Sequence, residues 1–491
     1  MRAPRLDPER AKGLLFGSFV FSVAYVVSFV PIPAMDFFWQ VATGRYVLRH
    51  GVPHADPFSH TMFGKPWTAH EWLSCVLFAL CFDKLGPDAT LKVKALICAL
   101  SMLTVYLACR ARGASQWASL LSSLLCTLVL RPFFDLRPQV LTYLMLAILL
   151  LLAAKALREG RPWRVFLFLP LQALWANLHG AFVLGPVFLA LLALGLLPSG
   201  RRREAAAFGS LALACVVLSL ANPYGPRLLL YPLGYVGART VHARAIVEWQ
   251  SPDFHSPHFW PFEALLLALF ALGPVAARRG KVELAEILVL LPFLHFALLM
   301  RRHIPIFALL SAPVLARWLA GVVGWRLHPS GKHAAPAVYV LASLVLLAPL
   351  PFLPLKRGAF ERYAVLSNFP VKAANWLKGR GLPERLFNPY DWGGYLIFKL
   401  WPEYRVFVDG RADLYGEFVV RDYREALGPR WKEVFERYRV GTAVVRPGTE
   451  IFRRLLASKD WAEVYRDRVA AVFVRRSGRT PPGRGPATLR P

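Results

Sequence analysis

The sequence predicts a polytopic α-helical membrane protein of about eleven transmembrane helices, with a soluble α/β domain at its carboxyl end. Two patterns carry that prediction. Of the 491 residues, 56% are hydrophobic and the mean hydropathy is +0.41, more apolar surface than one water-soluble core hides. The excess falls in runs of about 17 to 21 residues, the length at which a helix crosses about 30 Å of hydrocarbon. From about Lys356 onward the runs stop, and short apolar segments alternate with polar, helix-like stretches.

Lipid offers a bare backbone no hydrogen bonds, so each long run is read as a helix. The first, from Gly13 to Val30, follows Arg2, Arg5, Arg10 and Lys12, and lacks a small-x-small cleavage site in Pro31-Ile32-Pro33-Ala34-Met35-Asp36. It reads as a retained span. Further spans fall near 90–109, 114–130, 138–155, 163–177, 180–197, 205–221, 259–277, 283–300, 304–320 and 335–354, and the pair on either side of Asn177-Leu178-His179-Gly180 reads as a hairpin. With the amino terminus in the cytoplasm, every inner connection is short and basic: Arg110/Arg112, Lys155 to Arg164, Arg201 to Arg203, Arg278/Arg279/Lys281 and Arg326/Lys332. Basic residues are retained on the cytoplasmic side, so this arrangement satisfies the bias. An odd number of spans then puts the carboxyl domain outside the plasma membrane.

This placement of charge also decides against nucleic acid as the partner of a chain with net charge +29. The basic residues sit at span ends and in the last quarter of the chain, not on one groove-facing stripe. All six cysteines (Cys75, Cys81, Cys98, Cys109, Cys126, Cys215) lie in apolar stretches, which argues against a disulfide framework or a cysteine metal site.

The expected domains are a membrane domain, 1–355, with a long outer loop at 31–89 carrying an amphipathic interfacial helix near His70 to Phe82, then an α/β domain over 356–476 and a disordered basic tail, 477–491. Within the α/β domain, Ala373 to Leu377 reads as helix, and Arg405 to Val408, Thr442 to Val445 and Val469 to Val474 read as strands. No internal repeat of the kind found in many transporters is visible.

Polar residues collect on the predicted outer face. Asp36 opens a helix over Phe37 to Leu48, where an N-cap is the ordinary account and substrate chemistry the alternative. Asp135 lies in Arg-Pro-Phe-Phe-Asp-Leu-Arg-Pro beside Arg137, and either a local ion pair or a functional carboxylate explains it. Arg301, Arg302 and His303 sit outside against the charge bias, as cations placed to meet an anion do. Arg45, Arg137, Asn177 and His179 complete the substrate-side candidates. The histidines of the first loop lack metal-ligand spacing.

These residues carry a resemblance. A first span, an outer loop opened by Asp36, an interfacial helix and a span ending in Ala108-Cys109-Arg110-Ala111-Arg112-Gly113 resemble the GT-C superfamily of polyprenyl-phosphate-sugar-dependent glycosyltransferases. Asp36 to Arg45 and Trp175-Ala176-Asn177-Leu178-His179-Gly180 are similar in particular to bacterial protein-mannosyltransferase-like and lipid-A-sugar-transferase-like members. Ala374-Asn375-Trp376-Leu377, Tyr390-Asp391-Trp392-Gly393-Gly394-Tyr395-Leu396 and Val408-Asp409-Gly410-Arg411 resemble the soluble domain of oligosaccharyltransferase catalytic subunits.

The resemblance implies sugar transfer from a polyprenyl-phosphate-linked donor at the outer face, with Asp36 as base and Asp135 as a second carboxylate. Glu71, Trp392 and Tyr395 are acceptor-side candidates, although core packing also accounts for the two aromatic residues. The family's usual acidic pair is absent, since Phe37 and Phe38 follow Asp36, so no cofactor is expected and a divalent metal is not carried over. The other classes weighed are a non-catalytic protein that holds a lipid-linked glycan, and a transporter, which would need charges in mid-span.

Overall fold

The computed structural model describes residues 8–31, 35–231, 247–323, 336–348, 350, 358–364 and 366–476. The basic tail, Arg326 and Lys332 of the last predicted inner loop, and Pro33 and Ala34 lie outside them. The chain forms two compact units: Met1–Val30 with Gly86–Gly358, and Pro31–Leu85 with Ala359–Pro491.

The first unit is helical. Among the described residues, its helices of ten or more residues are Pro8–Val27, Pro87–Ala111, Gln116–Leu130, Gln139–Arg158, Leu169–Leu178, Leu184–Leu196, Arg202–Leu218, Trp260–Arg278, Leu284–Leu299, Ile304–Val323 and Pro336–Leu347. Among the described residues, five helical stretches are long and apolar enough to cross a membrane: Glu9–Val27, Pro87–Ala111, Gln139–Arg158, Pro257–Arg278 and Arg301–Val322. Three shorter apolar stretches join them, Gly180–Leu196, Leu284–Leu299 and Val338–Leu347. Large apolar side chains face outward, such as Leu213 at 68% exposure and Phe270 at 69%. Water would penalise them, whereas hydrocarbon does not. At the expected hairpin, helix Leu169–Leu178 stops at His179, whose backbone is extended, and a single 3-10 turn, Gly180–Val183, leads into helix Leu184–Leu196.

One buried cation ties three elements of this unit. Lys94 is 1% exposed, and its Nζ donates to the Ser28 carbonyl at 2.5 Å and the Phe134 carbonyl at 2.9 Å. Those carbonyls lie just past helices Pro8–Val27 and Gln116–Leu130, where intrahelical donors have run out. Lys94→Met is expected to strand both acceptors and cost about 2–4 kcal/mol. Thermal unfolding of the purified protein checks this, and an unchanged midpoint would remove Lys94 from the fold's supports.

The second unit joins chain segments far apart in sequence. Helices Met35–His50 and Trp72–Leu80 cross closely, because a Cβ on Gly44 would lie 2.0 Å from the Cys75 carbonyl oxygen. Helix Met35–His50 also packs on helix Gly393–Leu400. Phe37 and Phe38 fill the contact, with Phe38 5.0 Å from Tyr395 and 5.6 Å from Phe369 between ring centroids.

The remainder is built on a five-stranded sheet of β1 (Arg385–Phe387), β2 (Arg405–Val406), β3 (Thr442–Val445), β4 (Trp461–Arg466) and β5 (Ala471–Arg475). The spatial order is β2-β1-β3-β5-β4. β1 runs parallel to β2 and β3, and β5 antiparallel to β3 and β4. Thr442 to Val445 are all buried, the pattern of a central strand covered on both faces. The first loop extends the β2 edge, with Val406 N donating to the Phe58 carbonyl and His60 N to that of Val406.

Candidate functional site

In the second unit, Asp36 sits in the first turn of helix Met35–His50. Its Oδ1 accepts from Trp39 Nε1 at 3.0 Å, one turn on. The same oxygen would lie 2.2 Å from a Cβ built on Gly410, so the backbone after Asp409 passes against the carboxylate. Only glycine allows that approach.

Nearby carboxylates shape the local field. Glu71 is 6% exposed; it accepts from Gln40 Nε2 at 2.7 Å and faces His70 Nε2 at 3.6 Å. Burial pushes its carboxyl above the ordinary range; His70 and Gln40 oppose the shift, and Asp36 and Asp413 add to it. Among the described residues no three metal-ligating side chains form a group able to hold an ion.

Behind Gly410 lies an ionic core. Arg411 is buried, its guanidinium 4.6 Å from the Trp67 ring centroid and 5.2 Å from that of Phe58. Nη1 donates to Asp56 at 2.6 Å, while Nε and Nη2 form a fork on Asp409 at 2.8 and 2.6 Å. Tyr415 OH donates to Asp409 at 2.5 Å. Asp56 also accepts from the backbone N–H groups of Phe58 and Ser59, both at 3.0 Å. Burial works against the charge on Arg411, but Asp409 and Asp56 hold it protonated, its pKa well above the ordinary value.

In the first unit, Asp135 and Glu248 flank Arg137. Arg137 Nε lies 3.6 Å from Asp135, and its Nη1 donates to Glu248. Burial pushes the Asp135 carboxyl up to about 6, against the pull of Arg137. Burial also works to raise Glu248, but Arg137 and Arg302 hold it below its ordinary value. The Arg302 guanidinium stands 5.3 Å from the Trp249 ring centroid and is exposed, while Arg301 donates to the Ser251 carbonyl at 3.1 Å. His303 packs against Phe296.

A carboxyl with a raised folded pKa holds its proton in the folded state where the unfolded chain has lost it, so stability falls as pH rises through that window. For Asp135 the window runs from about 4 to 6. Wild type is therefore expected to lose midpoint temperature relative to Asp135→Asn between pH 4 and 7. Parallel curves for the two proteins would show that Asp135 is not desolvated.

The other candidates have defined settings. His179 Nδ1 lies 2.9 Å from Thr142 Oγ1, which also accepts from Trp175 Nε1 at 2.9 Å. Asn177 Nδ2 donates to the Ala173 and Ala221 carbonyls. Arg45 forks onto Asp83 at 3.0 and 2.6 Å. Trp392 and Tyr395 are buried at 0% and 1% exposure, the indole donating to the Asn368 carbonyl at 2.9 Å. The structure thus groups Asp36 with Glu71 in one unit, and Asp135 with Arg137 and Arg302 in the other.

Sequence reasoning did not single out Asp56, Asp409, Arg411 or Glu248 as site residues. For Asp409 and Arg411 a signal was present in the Asp409-Gly410-Arg411 motif, whereas Asp56 and Glu248 carry none.

No family model and no curated protein matches this chain. Solved structures do. Oligosaccharyltransferase from Archaeoglobus fulgidus, tethered to an acceptor peptide containing the NVT sequon, aligns at TM-score 0.54 and 13% identity over 87% of this chain and 68% of that one. ArnT from Cupriavidus metallidurans, bound to undecaprenyl phosphate, aligns at TM-score 0.50 and 15% identity over 95% of this chain and 98% of that one. The chain has a GT-C-like fold, the fold of these membrane glycosyltransferases.

Proposed function

We propose that this protein transfers a sugar from a polyprenyl-phosphate-linked donor to an acceptor at the outer face of the plasma membrane. In this reading about eleven helices span the bilayer, the amino terminus is cytoplasmic and the carboxyl-terminal residues lie outside. The observation that carries it is the carboxylate of Asp36, held by Trp39 and by the close backbone of Gly410 at the start of the helix after the first span. The undecaprenyl phosphate bound to ArnT supports the choice of donor.

The acceptor hydroxyl attacks the anomeric carbon and its proton passes to Asp36. The bond from that carbon to the phosphate oxygen breaks, and polyprenyl phosphate leaves. Arg302, with Arg301, is the anion contact proposed for the first unit; Arg137 is held there between two carboxylates.

The rival reading is a protein that holds a lipid-linked glycan without transferring it. It rests on the missing second acidic residue of the pair, since Asp36 is followed by Phe37 and Phe38, both buried at 1% exposure. Incubating the protein in nanodiscs with hexosyl and pentosyl polyprenyl phosphates and with peptide, lipid and polysaccharide acceptors, then measuring released polyprenyl phosphate and glycosylated acceptor by mass spectrometry, separates the two. Release is expected; saturable donor binding with no release would establish the rival.

A further inference from the structure

The motif Trp175-Ala176-Asn177-Leu178-His179-Gly180 takes no part in the transfer step proposed above, yet the first unit fixes its histidine from several sides. The backbone N–H of His179 donates to the Trp175 carbonyl at 3.1 Å, and its carbonyl accepts from Phe182 N at 3.2 Å. The ring is half-buried, with Nδ1 2.9 Å from Thr142 Oγ1 in the first turn of helix Gln139–Arg158. Thr142 and Trp175 are both at 0% exposure. The indole is walled in by Phe168, whose ring centroid lies 6.2 Å away, and by Gly185, where a Cβ would stand 3.2 Å from Trp175 Cζ3.

These contacts decide where the protons sit. An indole N–H only donates, so Trp175 Nε1 occupies one lone pair of Thr142 Oγ1 at 2.9 Å. The hydroxyl keeps one proton to give, and among the described residues its remaining hydrogen-bond partner is His179 Nδ1. A buried hydroxyl proton without an acceptor is costly. Nδ1 therefore accepts, the ring is neutral and its proton sits on Nε2. In that form Nε2 can neither take up a substrate proton nor ligate a metal without first losing its own hydrogen. What it can do is donate.

A donor-only ring edge calls for an oxygen that accepts. The substrate of the proposed reaction carries two kinds: the nonbridging phosphate oxygens, which only accept, and sugar hydroxyls, which also donate. Bonds to a charged oxygen are about twice as strong as those to a neutral one. We propose that Thr142 and Trp175 are positioning residues that hold His179 as a neutral Nε2–H donor to a nonbridging phosphate oxygen of the polyprenyl carrier. The inference rests on the reading of the substrate as a polyprenyl phosphate, and measuring it needs no turnover.

The test is nitrogen-15 NMR of the full chain, labelled on histidine, in phosphatidylcholine nanodiscs at mildly alkaline pH, with the His179 signal assigned by its loss in His179→Phe. A bare Nδ1 and a protonated Nε2 are expected in wild type and Thr142→Ser, and a mixture of tautomers in Thr142→Val. Undecaprenyl phosphate is expected to shift the Nε2–H resonance, and undecaprenol and inorganic phosphate to leave it in place. Affinity for undecaprenyl phosphate is expected to fall about ten-fold in His179→Phe and about three-fold in Thr142→Val, and to return in Thr142→Ser. Should Thr142→Val fail to fold, the wild-type spectra and His179→Phe decide. A proton on Nδ1 in wild type, an Nε2–H signal unmoved by undecaprenyl phosphate or moved equally by undecaprenol or inorganic phosphate, or full affinity in the folded variants would each overturn the proposal. The spectra are read without sugar transfer, so an absence of release in the mass-spectrometric assay would fail the transfer reading alone.

Discussion

Replacing Arg411 with Met is expected to lower the stability of the second unit by about 3–5 kcal/mol, among the largest effects of any single substitution. The reason is the asymmetry of buried ion pairs. Arg411, Asp56 and Asp409 are all shielded from water at 1%, 2% and 0% exposure, and the guanidinium is what compensates both carboxylates. Its removal leaves two charges without a counter-ion in a low-dielectric surround, and they must take up protons or expose themselves. Removing all three charges together, in Asp56→Asn/Asp409→Asn/Arg411→Met, is expected to recover part of the loss. Thermal unfolding followed by tryptophan fluorescence measures both. A loss below about 1 kcal/mol for Arg411→Met would mean the network contributes little net stability.

The second large effect is on catalysis. Asp36→Asn keeps the shape of the side chain and its acceptor for Trp39 Nε1 but cannot take a proton at neutral pH. Loss of a positioned base slows transfer by about 100- to 10,000-fold. Gly410→Ala probes the same group without touching it. The new methyl would stand 2.2 Å from Asp36 Oδ1 and 3.2 Å from Trp39 Nε1, and a side-chain tip yields before a backbone does. The carboxylate is therefore expected to move and transfer to fall about ten-fold or more with the thermal midpoint nearly unchanged. Transfer near the wild-type rate in Asp36→Asn would assign the proton to another group.

Much of this fold is legible in the sequence because its strongest signals are local. The apolar runs fall on helices of the first unit among the described residues, five of them long and apolar enough to cross a membrane, and β3 and β5 follow from unbroken apolar segments. β1 and β4 do not. Arg385-Leu386-Phe387 is too short for a period to show, and Trp461–Arg466 places its charges at every third residue, which breaks the two-residue alternation of a half-buried strand.

The site was less legible for a related reason. Asp56 and Arg411 are 355 positions apart, and Arg137 and Glu248 are 111 apart; nothing in a local window marks either pair. The same holds for the grouping of Pro31–Leu85 with the residues after Ala359. Trp392 and Tyr395 show the opposite case, in which a motif read by resemblance marks side chains enclosed in the interior.

The interval between Asp56 and Arg411 has a consequence during synthesis. A ribosome adding about 5–20 residues per second needs roughly 18–70 s to travel from one to the other. For that time the segment around Asp56 waits without its counter-ion while helix after helix enters the bilayer. A transcript ending before codon 411 would yield a chain able to insert yet lacking the cation that the Asp56 segment meets, so that segment would stay open to water and to proteases.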